Sequence, residues 1–338
     1  MISEKNKKAI LDFCSFCFAE GLSVERVEHY ARILKKIAEI FRRDFEEATK
    51  ADVVQLVQGI ESRNLSAWTK HDYKVALRKF FKWLRRSDDY PEEVKWIKVG
   101  KSIKNRILPE QLLTERDVKK LMNICSDTQM KALIAVLWET GARIGELLNL
   151  RIGHIQPEER YAKLLFSGKT GMRQVIILFS WPYLLQWMNI HPQKNEPNAF
   201  LWVKRNGKPM LYADVRKRLQ NLARKAKIRK PVNPHLFRHS RATFLAKHLT
   251  EAQLSQYLGW VQGSKMPKTY VHLAGRDLIP RLLELYGLEA EKKPEEIELK
   301  PIVCWRCKTT NPADAAFCIR CQAPLLSLIH ISEPTRPY

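Results

Sequence analysis

"NPHLFRHSRATFLAKH", residues 233–248, crowds four basic side chains, His235, Arg238, His239 and Arg241, into seven positions of a segment that otherwise reads as a helix with an apolar side. Phe237, Phe244 and Leu245 fall one to two turns apart and can face a core, while His235 and Arg238, at i and i+3, share another face. A solvated basic helix is one reading of this pattern. A clamp for a phosphate is the other, and the rest of the chain decides between them.

The chain has 338 residues, enough for about two domains, and its 45% hydrophobic and 28% charged residues allow a sizeable core. Its charge is unusual. With 59 Lys and Arg against 36 Asp and Glu the formal net charge is +23, which favours a polyanion, nucleic acid before a membrane surface. The opening MISEKNKKAI lacks the apolar core of a signal peptide and no run is long enough to span a membrane, so a cytoplasmic location is expected and no membrane partner.

Helical spacing runs from Ser23 through Val24, Val27, Tyr30, Leu34, Ile37 and Phe41, with Ser23 as a cap, and a second helix follows Thr49. A third, "SAWTKHDYKVALRKFFKWLRR" from Ser66, buries Tyr73, Ala76, Leu77, Phe80 and Leu84. Its other side carries Lys70, Lys74, Arg78 and Lys82 at four-residue intervals, then Arg85 and Arg86. Such a stripe is often only a wet face. Here, with almost no acidic partners on the stripe and a basic chain around it, it reads as a surface that tracks DNA phosphates. Cys14 and Cys17 lie in an apolar helical stretch and read as core.

Periodicity stops at "KVGKSIKNRILP", so residues 99–109 read as a basic linker between a helical domain, 1–98, and a second domain, 110–288. The second opens on a capping box at Thr114 and Asp117, and its helix "MKALIAVLWET" stops at Gly141. "YAKLLFSGKTGMRQVIILF" is two apolar runs around a Gly-bounded turn, a β-hairpin. Helices return over 212–228, 235–248 and 251–258. The expected fold class is mainly α (α+β): two mostly helical domains, the second with a small antiparallel sheet.

Four separated pieces of the second domain line up. "TGARIGELLNL" puts Arg143 at a helix start, "SGKTGMR" puts Lys169 at the hairpin tip, "HLFRH" supplies His235 and Arg238, and "LGWVQGSKMPKTYVHL" supplies Trp260 and Tyr270. In this order they resemble the tyrosine recombinase (phage integrase) family, and the "GSKMPKTYVHL" ending resembles its archaeal integrases. The resemblance covers about residues 10–288. It implies a helical, SAM-like core-binding domain that clamps double-stranded DNA together with the catalytic domain, a homotetramer on paired DNA sites, room for a helper protein, and no cofactor for catalysis.

Residue by residue, the resemblance makes Tyr270 the nucleophile of a 3′-phosphotyrosyl link. The chemistry agrees, because rejoining DNA without an energy source requires that the phosphate be kept covalently. Arg143 and Arg238 match a phosphate whose non-bridging oxygens gain charge in the transition state. His235 titrates near neutrality and can shuttle a proton. Lys169 would protonate the leaving 5′ oxygen, and Trp260 can donate its indole N–H but accept nothing. Trp260 departs from the commoner His at this position, and the stretch from Trp260 to Tyr270 is one residue longer than in many bacterial members. Glu146, on the face of Arg143, orients that guanidinium. His239 and Arg241 are left as structural or backbone-contacting groups, and His272 as packing. Alternatives are a type IB topoisomerase-like nicking and closing enzyme and a catalytically silent DNA-binding regulator.

Beyond a charged, Pro-flanked linker, 289–300, "CWRCKTTNPADAAFCIRC" places Cys304, Cys307, Cys318 and Cys321 as two C-x2-C knuckles ten residues apart, with a turn at Asn311-Pro312. In a reducing compartment this spacing suits structural zinc, which would supply the folding energy of a ribbon over 301–325. The end, "LSLIHISEPTRPY", resembles translated sequencing-adaptor sequence, and residues 327–338 are set aside as a non-native tail.

Overall fold

Polar caps start several helices of the first of the two units into which the chain divides, Met1–Arg106. Ser3 caps α1 (Glu4–Ala19) through its hydroxyl. Ser23 occupies the corresponding place before α2 (Val24–Phe41), but its side chain makes no capping hydrogen bond, so the expected cap is one of position only. Thr49 and Asp52 form a reciprocal capping box on α3 (Lys50–Glu61), Ser66 caps α4 (Ala67–Leu84), and a single turn, α5 (Glu92–Lys95), follows. The core is aromatic: Phe80 meets Phe13 edge to face at 5.4 Å and Phe45 at 4.9 Å. Leu84 is only partly buried beside it. Cys17 is fully buried and Cys14 packs against the same core, as an apolar helix face requires.

The computed structural model describes residues 2–99, 109–168, 171–261, 263–273, 286–287 and 299–325. Most of the expected linkers 99–109 and 289–300, the tail 327–338, Lys169 and the side chain of His272 lie outside the described residues. Among the described residues no helix is long and apolar enough to cross a membrane.

The second unit, Ile107–Tyr338, is organised around a helix that is apolar on nearly every side. After α6 (Glu115–Ile124), which carries the Thr114–Asp117 capping box, α7 (Thr128–Thr140) buries every residue from Ala132 to Thr140. Gly141 ends it in the left-handed region, and a Cβ there would come within 3.1 Å of Leu258. One short helix, α8 (Ile144–Leu148), then leads into the sheet. The sheet is β1 (Ile155–Pro157), β2 (Ala162–Gly168) and β3 (Gly171–Ile177), all antiparallel in that order, so the expected hairpin gains a third strand.

In the hairpin register Ala162 faces Ile177, Leu164 faces Val175 and Phe166 faces Arg173, which places Arg173 on the apolar side of the sheet. The buried Glu139 carboxylate accepts hydrogen bonds from the amides of Leu178, Phe179 and Ser180 and from the Ser180 hydroxyl. That fixes the turn into α9 (Trp181–Asn189), a helix whose apolar sequence reads equally well as an extension of the strand. Among the described residues four further helices follow: α10 (Tyr212–Lys225), α11 (Pro234–Ala246), α12 (Glu251–Leu258) and α13 (Met266–Leu273).

The cysteine segment does not stand apart from this unit. Its short strands β4 (Ile302–Val303) and β5 (Thr310–Asn311) pair, and Leu299 is buried in the main core. Asp314 accepts from the Tyr183 hydroxyl at 2.7 Å and pairs with Lys131 at 3.6 Å. Lys131 lies in the first turn of α7 and Tyr183 in α9, and with a rise of about 1.5 Å per residue most of α7 separates Lys131 from Arg143.

Candidate active site

Arg143 stands at the N-cap position of α8, where its backbone N–H meets the Glu146 carboxylate at 3.2 Å and its guanidinium donates to the same group at 2.7 Å. Arg173 donates to Glu146 from the hairpin, also at 2.7 Å, and to the Tyr257 carbonyl. Burial pushes the Glu146 carboxyl up, but the hydrogen bonds from Arg173 and Arg143 outweigh it and hold the group below the usual carboxylate range. One carboxylate thus holds two guanidiniums, and the Arg143 side chain keeps 41% of its surface open.

Arg238 enters from α11 and is nearly fully buried. It donates to the carbonyls of Gly141 and Leu258, each at 2.8 Å, and its guanidinium lies 5.7 Å from the centre of the Trp260 ring. Burial, reinforced by the charge of Arg143, lowers it to about 10, so it stays a cation at neutral pH. The Leu258-Gly259-Trp260 turn explains its own glycine. Gly259 has φ +64°, and a Cβ on it would come within 2.6 Å of the Arg173 guanidinium nitrogen.

Tyr270 lies inside α13, 2% exposed and stacked on Trp260 with ring centres 5.2 Å apart and planes 11° from parallel. Burial raises its hydroxyl to about 12 against the opposing pull of Arg238. The hydroxyl sits 2.5 Å from Nδ1 of His239. His235, one turn earlier, is exposed and touches His239 edge to face at 4.9 Å. Loss of hydration, then Arg238 and Arg143, lower the pKa of His235, and loss of hydration with His235 and Arg238 lowers that of His239 to about 4.

The structure therefore gathers Arg143, Glu146, Arg238, Trp260 and Tyr270 around the Gly141 and Gly259 turns and places His235 beside them. One member, Arg173, was missed in the sequence, and another, His239, was read there only as a structural or backbone-contacting group. Arg173 was legible in principle as the cation on the apolar side of a strand, a position that demands a partner. His239 was legible as the residue one turn beyond His235. Arg241, by contrast, is a packing residue, donating to the Glu139 carbonyl and lying 5.0 Å from the centre of the Phe244 ring.

Residues 111–276 match the profile of the phage integrase family. That segment is a phage integrase family domain. It is 23% identical over 295 residues to the tyrosine recombinase XerA of Saccharolobus solfataricus, covering 83% of this chain and 94% of that one. It is 27% identical over 263 residues to XerA of Pyrococcus horikoshii, covering 75% and 85%. In fold it resembles the XerH site-specific recombinase bound to palindromic difH substrate in a post-cleavage complex, with TM-score 0.62, 23% identity and 82% and 83% coverage. A lambda integrase dimer bound to a COC′ core site gives TM-score 0.64, with 16% identity and 80% and 78% coverage.

The matched family segment ends before the cysteines. Sγ atoms of Cys304, Cys307, Cys318 and Cys321 all lie within 4.8 Å of one another, with 3.6 Å from Cys304 to Cys321 and 3.5 Å from Cys307 to Cys318. A tetrahedral zinc with Zn–S bonds of about 2.3 Å needs S···S edges near 3.8 Å, so the four thiols fit the ion. The two knuckles repeat one geometry: the amides of Lys308 and Gln322, both at positive φ, donate to the carbonyls of Cys304 and Cys318 at 3.0 Å. The expected turn starts one residue later than Asn311. Asn311 is in β5, fully buried, and its side chain joins Thr309, Ile302 and Ile319.

The basic stripe of α4 also differs from expectation, because acidic partners arrive from other helices. Lys70 and Lys74 both pair with Glu61 of α3, and Arg85 pairs with Glu93 at 2.9 Å. Arg78 lies over the Tyr90 ring at 3.8 Å, with Lys82 5.8 Å from the same ring, and Arg86 is exposed.

The depressed carboxyl of Glu146 gives a pH test. A group whose folded pKa lies below its unfolded value stabilises the fold above the unfolded value, about 4.3, and loses that contribution as pH falls through the folded value. Native protein should therefore resist urea better than Glu146→Gln at pH 7, with the gap closing below roughly pH 4. A gap unchanged from pH 7 to pH 3.5 would show that the ion pairs with Arg143 and Arg173 contribute nothing.

Proposed function

We propose that this chain is a site-specific DNA recombinase of the tyrosine type in which Tyr270 is the nucleophile. The observation that carries the assignment is the meeting of Tyr270, Trp260 and two arginines, from three separate sequence pieces, at the paired Gly141 and Gly259 turns. Tyr270 attacks the scissile phosphate, a 3′-phosphotyrosyl link forms, and the freed 5′ hydroxyl attacks the partner strand. Arg143, open on one side, and Arg238, fixed inside, balance charge on the non-bridging oxygens, a role for preorganised cations. His235, exposed beside both arginines, faces the phosphate and serves in proton transfer. Trp260 holds the Tyr270 ring and offers one N–H, and Lys169 is assigned to the leaving oxygen.

Double-stranded DNA is the partner. In the second unit the exposed Arg216, Lys217, Arg224, Lys225, Lys227 and Arg229 of α10 and the loop after it form a basic surface leading to the start of α11. In the first unit, residues 1–98 act as the core-binding module. There Arg86 and the parts of Lys70, Lys74, Arg78, Lys82 and Arg85 left accessible by their ion pairs meet phosphates. Assembly as a homotetramer on paired sites and a cytoplasmic location belong to this reading, which leaves room for a helper protein. The four cysteines hold a structural zinc, and catalysis takes place without a cofactor.

Incubated with nicked duplexes tiled across the DNA flanking its own gene, the purified chain should form a covalent adduct on a denaturing gel. Tyr270→Phe should bind without forming it, and Arg143→Ala or Arg238→Ala should slow it by about 10²–10³. A Tyr270→Phe protein that still cuts DNA removes the nucleophile assignment. Treated with a thiol reagent, each chain should release one zinc, whereas Cys304→Ser combined with Cys318→Ser should release none. Native protein that releases no zinc refutes the metal site.

A further inference from the structure

The Tyr270 hydroxyl meets an imidazole, and it is not the one expected. His235 lies at the mouth of the site, while Nδ1 of His239 is 2.5 Å from the phenolic oxygen and the two rings lie 5.7 Å apart, tilted by 31°. The contact joins α11 to α13 and is closed on the far side of the phenol by the Trp260 ring. A neutral imidazole with its proton on Nε2 presents the unshared pair of Nδ1 to that hydroxyl. A general base must be within hydrogen-bond reach of the proton it takes, and among the described residues His239 satisfies that requirement for Tyr270.

We infer that His239 is a catalytic residue of this enzyme, the base that accepts the phenolic proton of Tyr270 during DNA cleavage. The inference rests on the reading of Tyr270 as nucleophile. As the phenolic oxygen bonds to phosphorus, the bond from phosphorus to the 5′ oxygen breaks. The phenolic proton moves to Nδ1 of His239, and the leaving oxygen takes a proton from a general acid, for which Lys169 is the sequence candidate. In rejoining, the 5′ hydroxyl gives up its proton and attacks, and His239 returns its own proton to the departing phenolate.

The surroundings suit this task. The titratable and charged groups around the ring are His235 and Arg238 of its own helix and Tyr270 of α13. From α7 the Glu139 carboxylate is turned to the Leu178–Ser180 amides, and from α12 the Tyr257 hydroxyl is on the Glu139 carbonyl. Burial first, then the neighbouring cationic groups His235 and Arg238, keep the His239 ring neutral, and in the tautomer with its proton on Nε2 the nitrogen facing the hydroxyl is an acceptor. A phosphate seated on Arg143 and Arg238 would offset those cations as its charge grows, raising the basicity of the ring while the proton is transferred.

The test measures the rate of covalent adduct formation on the tiled nicked duplexes between pH 6 and 9. The native rate should be nearly flat, because the ring is unprotonated throughout. His239→Ala and His239→Gln should both be slower by about 10²-fold or more and should rise about tenfold per pH unit, because hydroxide must replace the base. Glutamine keeps an acceptor at the hydroxyl without basicity. A His239→Gln protein with native rate and a flat profile would make His239 a packing residue and overturn the inference. A bridging 5′ sulfur at the scissile phosphate, which leaves without a proton, should not restore either variant; restoration would place His239 on the leaving group instead. Adduct formation by Tyr270→Phe, or none by the native chain on any duplex, would instead overturn the nucleophile reading on which the inference rests.

Discussion

A guanidinium buried inside a protein costs several kcal/mol unless its donors are met, and Arg238 meets that cost with the carbonyls of Gly141 and Leu258 and the face of Trp260. The site depends on this arrangement. Because both carbonyls belong to helix ends, one cation ties the end of α7 to the end of α12, and the glycines that stop those helices free the carbonyls to turn toward it. Arg143 begins two residues after the first turn and Trp260 two residues after the second carbonyl. The fold and the proposed phosphate site are held by the same bonds.

Around this fixed charge the remaining groups divide by exposure. Glu146 restrains Arg143 and Arg173 without neutralising the site, since three guanidiniums face one carboxylate. Arg143 and His235 stay open to an incoming anion, whereas Tyr270, His239 and Trp260 form a closed stack. On the proposed reading a phosphate would meet cations first, with Tyr270 behind them and its hydroxyl on His239.

Much of this was legible in the sequence where local chemistry determines structure. The helix start after Thr49, the capping box at Thr114, the glycine stop after α7, the hairpin flanking Lys169 and the spacing of Arg143, His235, Arg238, Trp260 and Tyr270 all depend on near neighbours. What could not be read depends on distant ones. The Glu61 partner of Lys70 and Lys74 lies on another helix, and the pairing of Arg173 with Glu146 requires the sheet to lie against α8. The docking of Asp314 on Tyr183 and Lys131 joins residues over a hundred positions apart, and no periodicity announces it. The apolar run from Val175 to Trp187 bends from strand to helix at amides held by Glu139, a buried carboxylate that reads as one more helix residue.

The central claim is that one tyrosine carries the DNA between cleavage and rejoining. The direct measurement is to trap the covalent adduct, digest it with a protease and nuclease, and identify by mass spectrometry the peptide that retains a nucleotide. The account predicts a single modified peptide containing Lys268, Thr269 and Tyr270, with the nucleotide on the Tyr270 oxygen. A nucleotide on any other tyrosine or on a serine would contradict it.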